Sequence, residues 1–210
     1  MLIHIIAYLV IGLYTLALAY ITFYCLIQFH LLLKYNKGRK EEALSKDGLL
    51  YSGESLPLIT IQLPVFNERF VVERLIDNIV TMDYPADKLE IQVLDDSTDD
   101  TTEVCKRKVE EYKSKGIDIV YIHRTNREGF KAGALRDGLH VAKGEFIAIF
   151  DADFLPHKDF LLKTVPYFKD AQVGVVQTRW EHINGDYSLI TRLQAFQLNV
   201  HFSIEQSGRQ

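Results

Sequence analysis

Charge is missing from the start of this chain: the first 33 residues contain no Lys, Arg, Asp or Glu. A solvated helix or a folded surface cannot be built from such a stretch, so it is excluded as an ordinary globular N-terminus. Cysteine is scarce. Cys25 and Cys105 are the only two, one in the apolar stretch and one in a predicted helix, which excludes a disulfide framework and a Cys-based metal site and fits a reducing compartment. The seven histidines are dispersed and none pairs at i,i+4, so no His metal site is expected. Neither a G-x-x-x-x-G-K-[ST] phosphate loop nor a G-x-G-x-x-G dinucleotide fingerprint occurs. A net charge of -4 leaves no basic footprint for nucleic acid. There is no internal repeat and no low-complexity segment.

What is present begins with the uncharged run itself. Leu2 to Leu33 exceeds the ~20 apolar residues needed to cross a bilayer. Ala17-Leu18-Ala19 has the small residues of a signal-peptide cleavage site. However, no basic residue precedes the run, and the run continues well past Ala19, so a retained transmembrane helix over 1–34 is the better reading. Lys34, Lys37, Arg39 and Lys40 follow at once. By the positive-inside rule they place the remainder in the cytoplasm at a cell membrane. Residues 35–56 are polar and carry Gly38, Gly48 and Gly53, a linker composition.

From Pro57 onward, apolar runs of strand length alternate with longer amphipathic stretches. The pattern predicts strands at Ile59–Leu63, Leu89–Leu94, Ile117–Ile122, Phe146–Phe150 and Val173–Gln177. It predicts helices at Glu68–Met82, Asp99–Lys115, Lys131–Ala142, Lys158–Phe168 and Tyr187–Glu205, the last with Leu189, Ile190, Leu193, Phe196 and Val200 on one face. Such alternation argues a three-layer α/β domain with a mainly parallel sheet.

The fourth run, Phe146 to Phe150, stops at Asp151 and Asp153. Residues i and i+2 of an extended chain point the same way. Two carboxylates so placed repel unless a cation or donor lies between them, and hard cations take one or two carboxylates plus substrate phosphates. This argues a metal–phosphate site at a strand's carboxyl end, where open parallel sheets bind ligands. The alternative is that the aspartates start a loop and cap a helix near Pro156. The second strand also ends in acid, at Asp95 and Asp96. Ser97 or Asp99 suffices as a helix cap, which leaves Asp96 for a ribose or base. Asn67, after the first strand, is either a cap or a third member of this edge. Gly129-Phe130-Lys131-Ala132-Gly133 opens a helix with small residues and one cation, a pattern that favours an anion. Gln177-Thr178-Arg179-Trp180 offers Arg179 and Trp180 to a sugar, or else a surface Arg and a half-buried Trp.

Taken in order, PVFNE, LDDSTDD, GFKAGAL, DAD and QTRW resemble the inverting family 2 glycosyltransferases, most of all the membrane-bound cellulose-synthase-like and mannan-synthase-like group. The likeness covers 57–210. It implies a GT-A fold over that range and a hexose transferred from a nucleotide-diphospho-sugar, UDP-glucose or GDP-mannose, to a growing β-linked glycan. It also implies that Asn67, Glu68, Asp95, Asp96 and Lys131 bind the donor nucleotide. Asp151 and Asp153 would hold Mg2+ or Mn2+, and Gln177, Arg179 and Trp180 would face the donor or acceptor sugar. The family's base lies in a Thr-Glu-Asp motif absent here, so the general base is expected beyond Gln210 and the chain is expected to be an N-terminal piece. As it stands, such a piece would bind donor and metal without turnover. D-x-D at a strand end also resembles Asp-nucleophile phosphatases, but Leu155 stands where those carry Thr or Val.

Overall fold

A computed structural model describes residues 2–42, 56–200 and 202. The chain divides into two compact units, one of 1–48 with 175–210 and one of 49–174. Most of the linker and the last predicted helical residues lie outside the described residues.

In the first unit, helix α1 spans Leu2–Glu42, continuing past Lys34. Its segment Leu2–Lys34 has a mean hydropathy of 2.2 and is long and apolar enough to cross a membrane. Thr15 and Thr22 donate their hydroxyls to the carbonyls of Ile11 and Leu18, both at 2.8 Å, so these polar groups are satisfied within the helix.

The second unit holds the sheet. Its elements are β1 (Ile59–Val65), α2 (Val72–Ile79), β2 (Leu89–Asp95), α3 (Thr101–Ser114), β3 (Ile119–His123), α4 (Phe130–Leu139), β4 (Phe146–Ile149) and α5 (Phe160–Thr164). The strands form one sheet in the order β3-β2-β1-β4, and every pairing is parallel. The two central strands differ sharply between faces. Ile59, Ile61, Leu63, Ile91 and Val93 join Val72, Leu75, Ile76, Ile79, Cys105 and Val109 of α2 and α3 in a single apolar core. Fully burying each such aliphatic side chain contributes about 1.5–3 kcal/mol. The opposite face carries buried polar groups. Gln62 donates to Gln92 at 3.0 Å and to the Leu135 carbonyl of α4 at 3.3 Å. Thr60 donates to the buried Glu90 at 2.5 Å. α4 reaches this face because it presents small residues to it. A Cβ on Gly138 would stand 2.7 Å from Gln62 Nε2 and 2.9 Å from Gln92 Oε1.

Three expectations change. Val173–Gln177 forms no strand: a strand needs a ladder partner, and Val175 is 84% exposed instead. The helix predicted over 158–168 shortens to α5 followed by a 3-10 turn at Val165–Lys169, since Pro166 has no N–H and disfavours helix in the residue before it. The last helix, α6, spans Leu189–Val200 in the first unit, and its Leu189, Ile190, Leu193 and Phe196 are exposed rather than buried.

Candidate active site

The sheet order puts β2 on one side of β1 and β4 on the other, so the chain reverses direction across β1. Ligands in open α/β sheets sit at such a switch point, outside the carboxyl ends of the strands. A cavity of about 330 Å³ lies there, lined by Pro64 and Val65 at the end of β1, Phe66 and Glu68 after it, Asp96 after β2, Arg127, Lys131 and Ala134 around the start of α4, and Asp151–Asp153 after β4.

Lys131, on the first turn of α4, pairs its ammonium with the carboxylate of Asp151. Asp153 is exposed and lines the same cavity. A cation already sits on one of the two aspartates, so this corner of the cavity accommodates positive charge. Among the described residues no group of three or more His, Cys, Asp or Glu side chains forms a metal cage. Two carboxylates facing an open cavity nonetheless suit Mg2+ or Mn2+, which complete their octahedron with phosphate oxygens and water. The residues present therefore fit a divalent cation that arrives with a diphosphate.

Asp95 and Asp96, adjacent in sequence, have different surroundings. The Asp95 side chain is fully buried. It accepts hydrogen bonds from Ser97 N–H at 2.9 Å and Tyr121 O–H at 2.6 Å, with His123 Nδ1 at 3.4 Å. Burial works to raise its carboxyl, but the Ser97 and Tyr121 hydrogen bonds outweigh that and hold it below the ordinary range. Asp95 does not line the cavity; it braces the β2–α3 turn. Asp96 lines the cavity, and both its oxygens are held by Arg124, Nε at 2.8 Å and Nη2 at 2.6 Å. That pairing leads the causes that raise the Arg124 guanidinium further above its ordinary value.

Asn67 adopts a left-handed backbone, φ 55°, which Asn tolerates. It caps no helix. Its N–H donates to Ser97 Oγ at 2.9 Å and its Oδ1 accepts from Thr98 N–H at 2.9 Å, binding the β1–α2 loop to the β2–α3 loop. Asp99 accepts from Thr101 N–H at 3.0 Å in a local turn.

Gln177, Arg179 and Trp180 belong to the other unit and are not among the cavity's lining residues. Arg179 pairs with Glu181 at 2.7 Å, and Trp180 packs on Phe202 with ring centroids 5.4 Å apart.

Sequence reasoning missed Phe66, Arg124 and Arg127. The Arg127 guanidinium lies 3.2 Å from the centroid of the Phe66 ring, and both residues line the cavity. Phe66 sits inside the PVFNE motif, which was a usable signal. The two arginines lie in a loop of no regular pattern, and only the fold brings them to the strand ends.

The Glycosyl transferase family 2 model matches residues 60–209, more than half of the chain, and the chain belongs to that family. It is 42% identical over 178 residues to glucomannan 4-beta-mannosyltransferase 9 of Arabidopsis thaliana, an alignment covering 82% of this chain and 33% of that protein. It is 43% identical over 159 residues to probable glucomannan 4-beta-mannosyltransferase 11 of Oryza sativa subsp. japonica, covering 73% of this chain and 28% of the relative. Among solved structures it resembles a mannosyltransferase of Pyrobaculum calidifontis in complex with GDP-Man and Mn2+, with a TM-score of 0.58 and 34% identity over 72% of this chain and 45% of that one. This chain thus spans about a third or less of the plant relatives' length.

Proposed function

We propose that this chain is the donor-binding part of a membrane-anchored, inverting mannosyltransferase that takes mannose from GDP-mannose to extend a β-linked polysaccharide. The observation that carries the reading is the cavity at the sheet's switch point, where Lys131, Asp151 and Asp153 meet Asp96. Mannose and GDP are favoured over glucose and UDP because the plant relatives are mannosyltransferases and the P. calidifontis structure holds GDP-Man.

In this reading the nucleoside lies toward Asp96 and the β1 end, and the diphosphate lies toward α4. Asp151 and Asp153 would hold Mg2+ or Mn2+, which would supply charge neutralisation on the departing diphosphate. Lys131 adds a second positive charge there. The acceptor hydroxyl attacks the anomeric carbon from the face opposite the diphosphate. Its oxygen forms the new glycosidic bond as the bond to the phosphate oxygen breaks, and its proton passes to a carboxylate base expected beyond Gln210. Gln177, Arg179 and Trp180 are assigned to the sugar or acceptor, and Asn67 and Asp95 to bracing the nucleotide-side loops. α1 anchors the chain in the bilayer, with Lys34, Lys37, Arg39 and Lys40 on the cytoplasmic side.

Isothermal titration of the chain in detergent, with GDP-mannose and UDP-glucose in Mn2+ and in EDTA, tests this. Tighter binding of GDP-mannose that requires Mn2+ is expected. Preference for UDP-glucose would reassign the donor, and binding unaffected by EDTA would remove the metal from the site.

A further inference from the structure

Arg124 follows β3 directly and is almost wholly buried, with its side chain 8% exposed. It is joined to β2 through its N–H, which donates to the Asp95 carbonyl at 3.0 Å. A guanidinium has five N–H donors, and here each has an acceptor. Nε and Nη2 clamp the two oxygens of Asp96. Nη1 donates to Asp137 Oδ2 at 3.0 Å and to the Glu128 carbonyl at 3.1 Å. Nη2 also donates to the Phe130 carbonyl at 2.9 Å. With every donor spent inside the protein, Arg124 has none to offer a ligand directly.

Its partners fall into two groups. Asp96 is the carboxylate of the nucleoside side. Glu128, Phe130 and Asp137 belong to the turn and helix that carry Lys131. That turn is strained at Phe130: Gly129 and Phe130 both have left-handed backbones, φ 70° and 52°, a conformation that glycine adopts freely and phenylalanine does not. Two carbonyls of the strained turn are ones that Arg124 holds. The turn also closes around the arginine. A Cβ on Gly133 would stand 1.8 Å from the Glu128 carbonyl oxygen and 2.8 Å from Arg124 Nη1, so residue 133 must be glycine for carbonyl and guanidinium to occupy these places.

We propose that Arg124 is a positioning residue that sets the nucleoside carboxylate Asp96 and the phosphate-side Lys131 at a fixed separation, so that a nucleoside diphosphate is gripped at both ends by one buried guanidinium acting through other groups. The inference rests on the donor-site reading above. A bidentate fork is required for it, so lysine, a point charge, does not substitute.

The test is titration of the chain in detergent with GDP and with UDP in Mn2+, alongside thermal unfolding of each variant. Arg124→Gln and Arg124→Lys are each expected to weaken binding of the preferred nucleotide tenfold or more in protein that still unfolds cooperatively. Arg107→Gln, which removes an exposed cation of α3 paired with Glu73, is expected to leave binding unchanged. Because Arg124 acts through Asp96, Arg124→Gln introduced into Asp96→Asn should cost less than a further threefold. Should the Arg124 variants fail to fold, Asp137→Asn removes one acceptor from the partly exposed side and is expected to weaken binding at least twofold. Wild-type affinity in a folded Arg124 variant, or in Asp137→Asn where the Arg124 variants do not fold, overturns the inference, as does full additivity with Asp96→Asn. Absence of binding by the wild-type chain to both nucleotides overturns the donor-site reading, and this inference with it.

Discussion

The ammonium of Lys131 is paired with the carboxylate of Asp151 in the lining of the switch-point cavity. The two side chains come from α4 and from the end of β4, and they meet where the proposed cation would bind. Lysine and divalent cation therefore compete for Asp151. Lys131→Met should tighten Mn2+ binding to the ligand-free chain several-fold, while weakening GDP binding because a phosphate-side charge is lost. Titration with Mn2+ alone and then with GDP separates the two effects. Weaker Mn2+ binding in the variant would show that the lysine supports the cation rather than competing with it.

Asp153 is exposed and outside the core. Asp153→Ala should leave the unfolding free energy within about 0.5 kcal/mol of wild type, as for surface substitutions generally, while abolishing the Mn2+ dependence of nucleotide binding. A cooperative transition lost in this variant would mark the aspartate as structural.

Gly138 sits against Gln62 and Gln92 with no room for a methyl group. Gly138→Ala gains helix propensity but forces the buried amides apart, and overpacking of this kind costs about 1–3 kcal/mol. Denaturant unfolding should show the loss. Gly116 makes a useful contrast: nothing lies within 4 Å of an added Cβ, but its φ of +84° is unfavourable to alanine. Gly116→Ala therefore destabilises through backbone strain alone, by about 1 kcal/mol.

Asp95 carries an acid dependence. Its folded carboxyl lies below the ordinary value. The stability it contributes is thus complete above the unfolded carboxyl's pKa, about 3.9, and is lost as pH falls through the lower folded value. Asp95→Asn should cost about 1–3 kcal/mol at pH 7, the penalty for disrupting a buried hydrogen-bonded group. It should also flatten the decline in unfolding midpoint as pH falls below about 4. An equally steep decline in the variant would assign the acid sensitivity to other carboxylates.

The strands that were readable were those with a neighbour waiting. Ile59–Val65 and Leu89–Asp95 alternate apolar and polar residues, and the structure pairs them along their whole length. Val173–Gln177 looks much the same as a string of letters, but a strand exists only through its partner's hydrogen bonds, and none forms for it among the described residues. The acid-ended strands were also legible, because a run of aliphatic residues stopping at Asp151 and Asp153 needs only local sequence to be seen. The division of labour between Asp95 and Asp96 was not legible. Both are aspartates at one strand end, and only the sheet's pleat decides that one turns inward to Tyr121 and the other toward Arg124.

By itself, then, the sequence determined the uncharged helix at the start, the α/β alternation, the acidic strand ends and, through five motifs in order, the family. These depend on local composition and spacing. The tertiary structure decided which strand lies beside which, and hence that β1 and β4 open a cavity at a switch point. It decided that Lys131 reaches Asp151, 20 residues further along, and that Arg124 lies under Asp96. Those are long-range contacts, set by how the polar and apolar faces of one sheet are covered, and no window along the chain contains both partners.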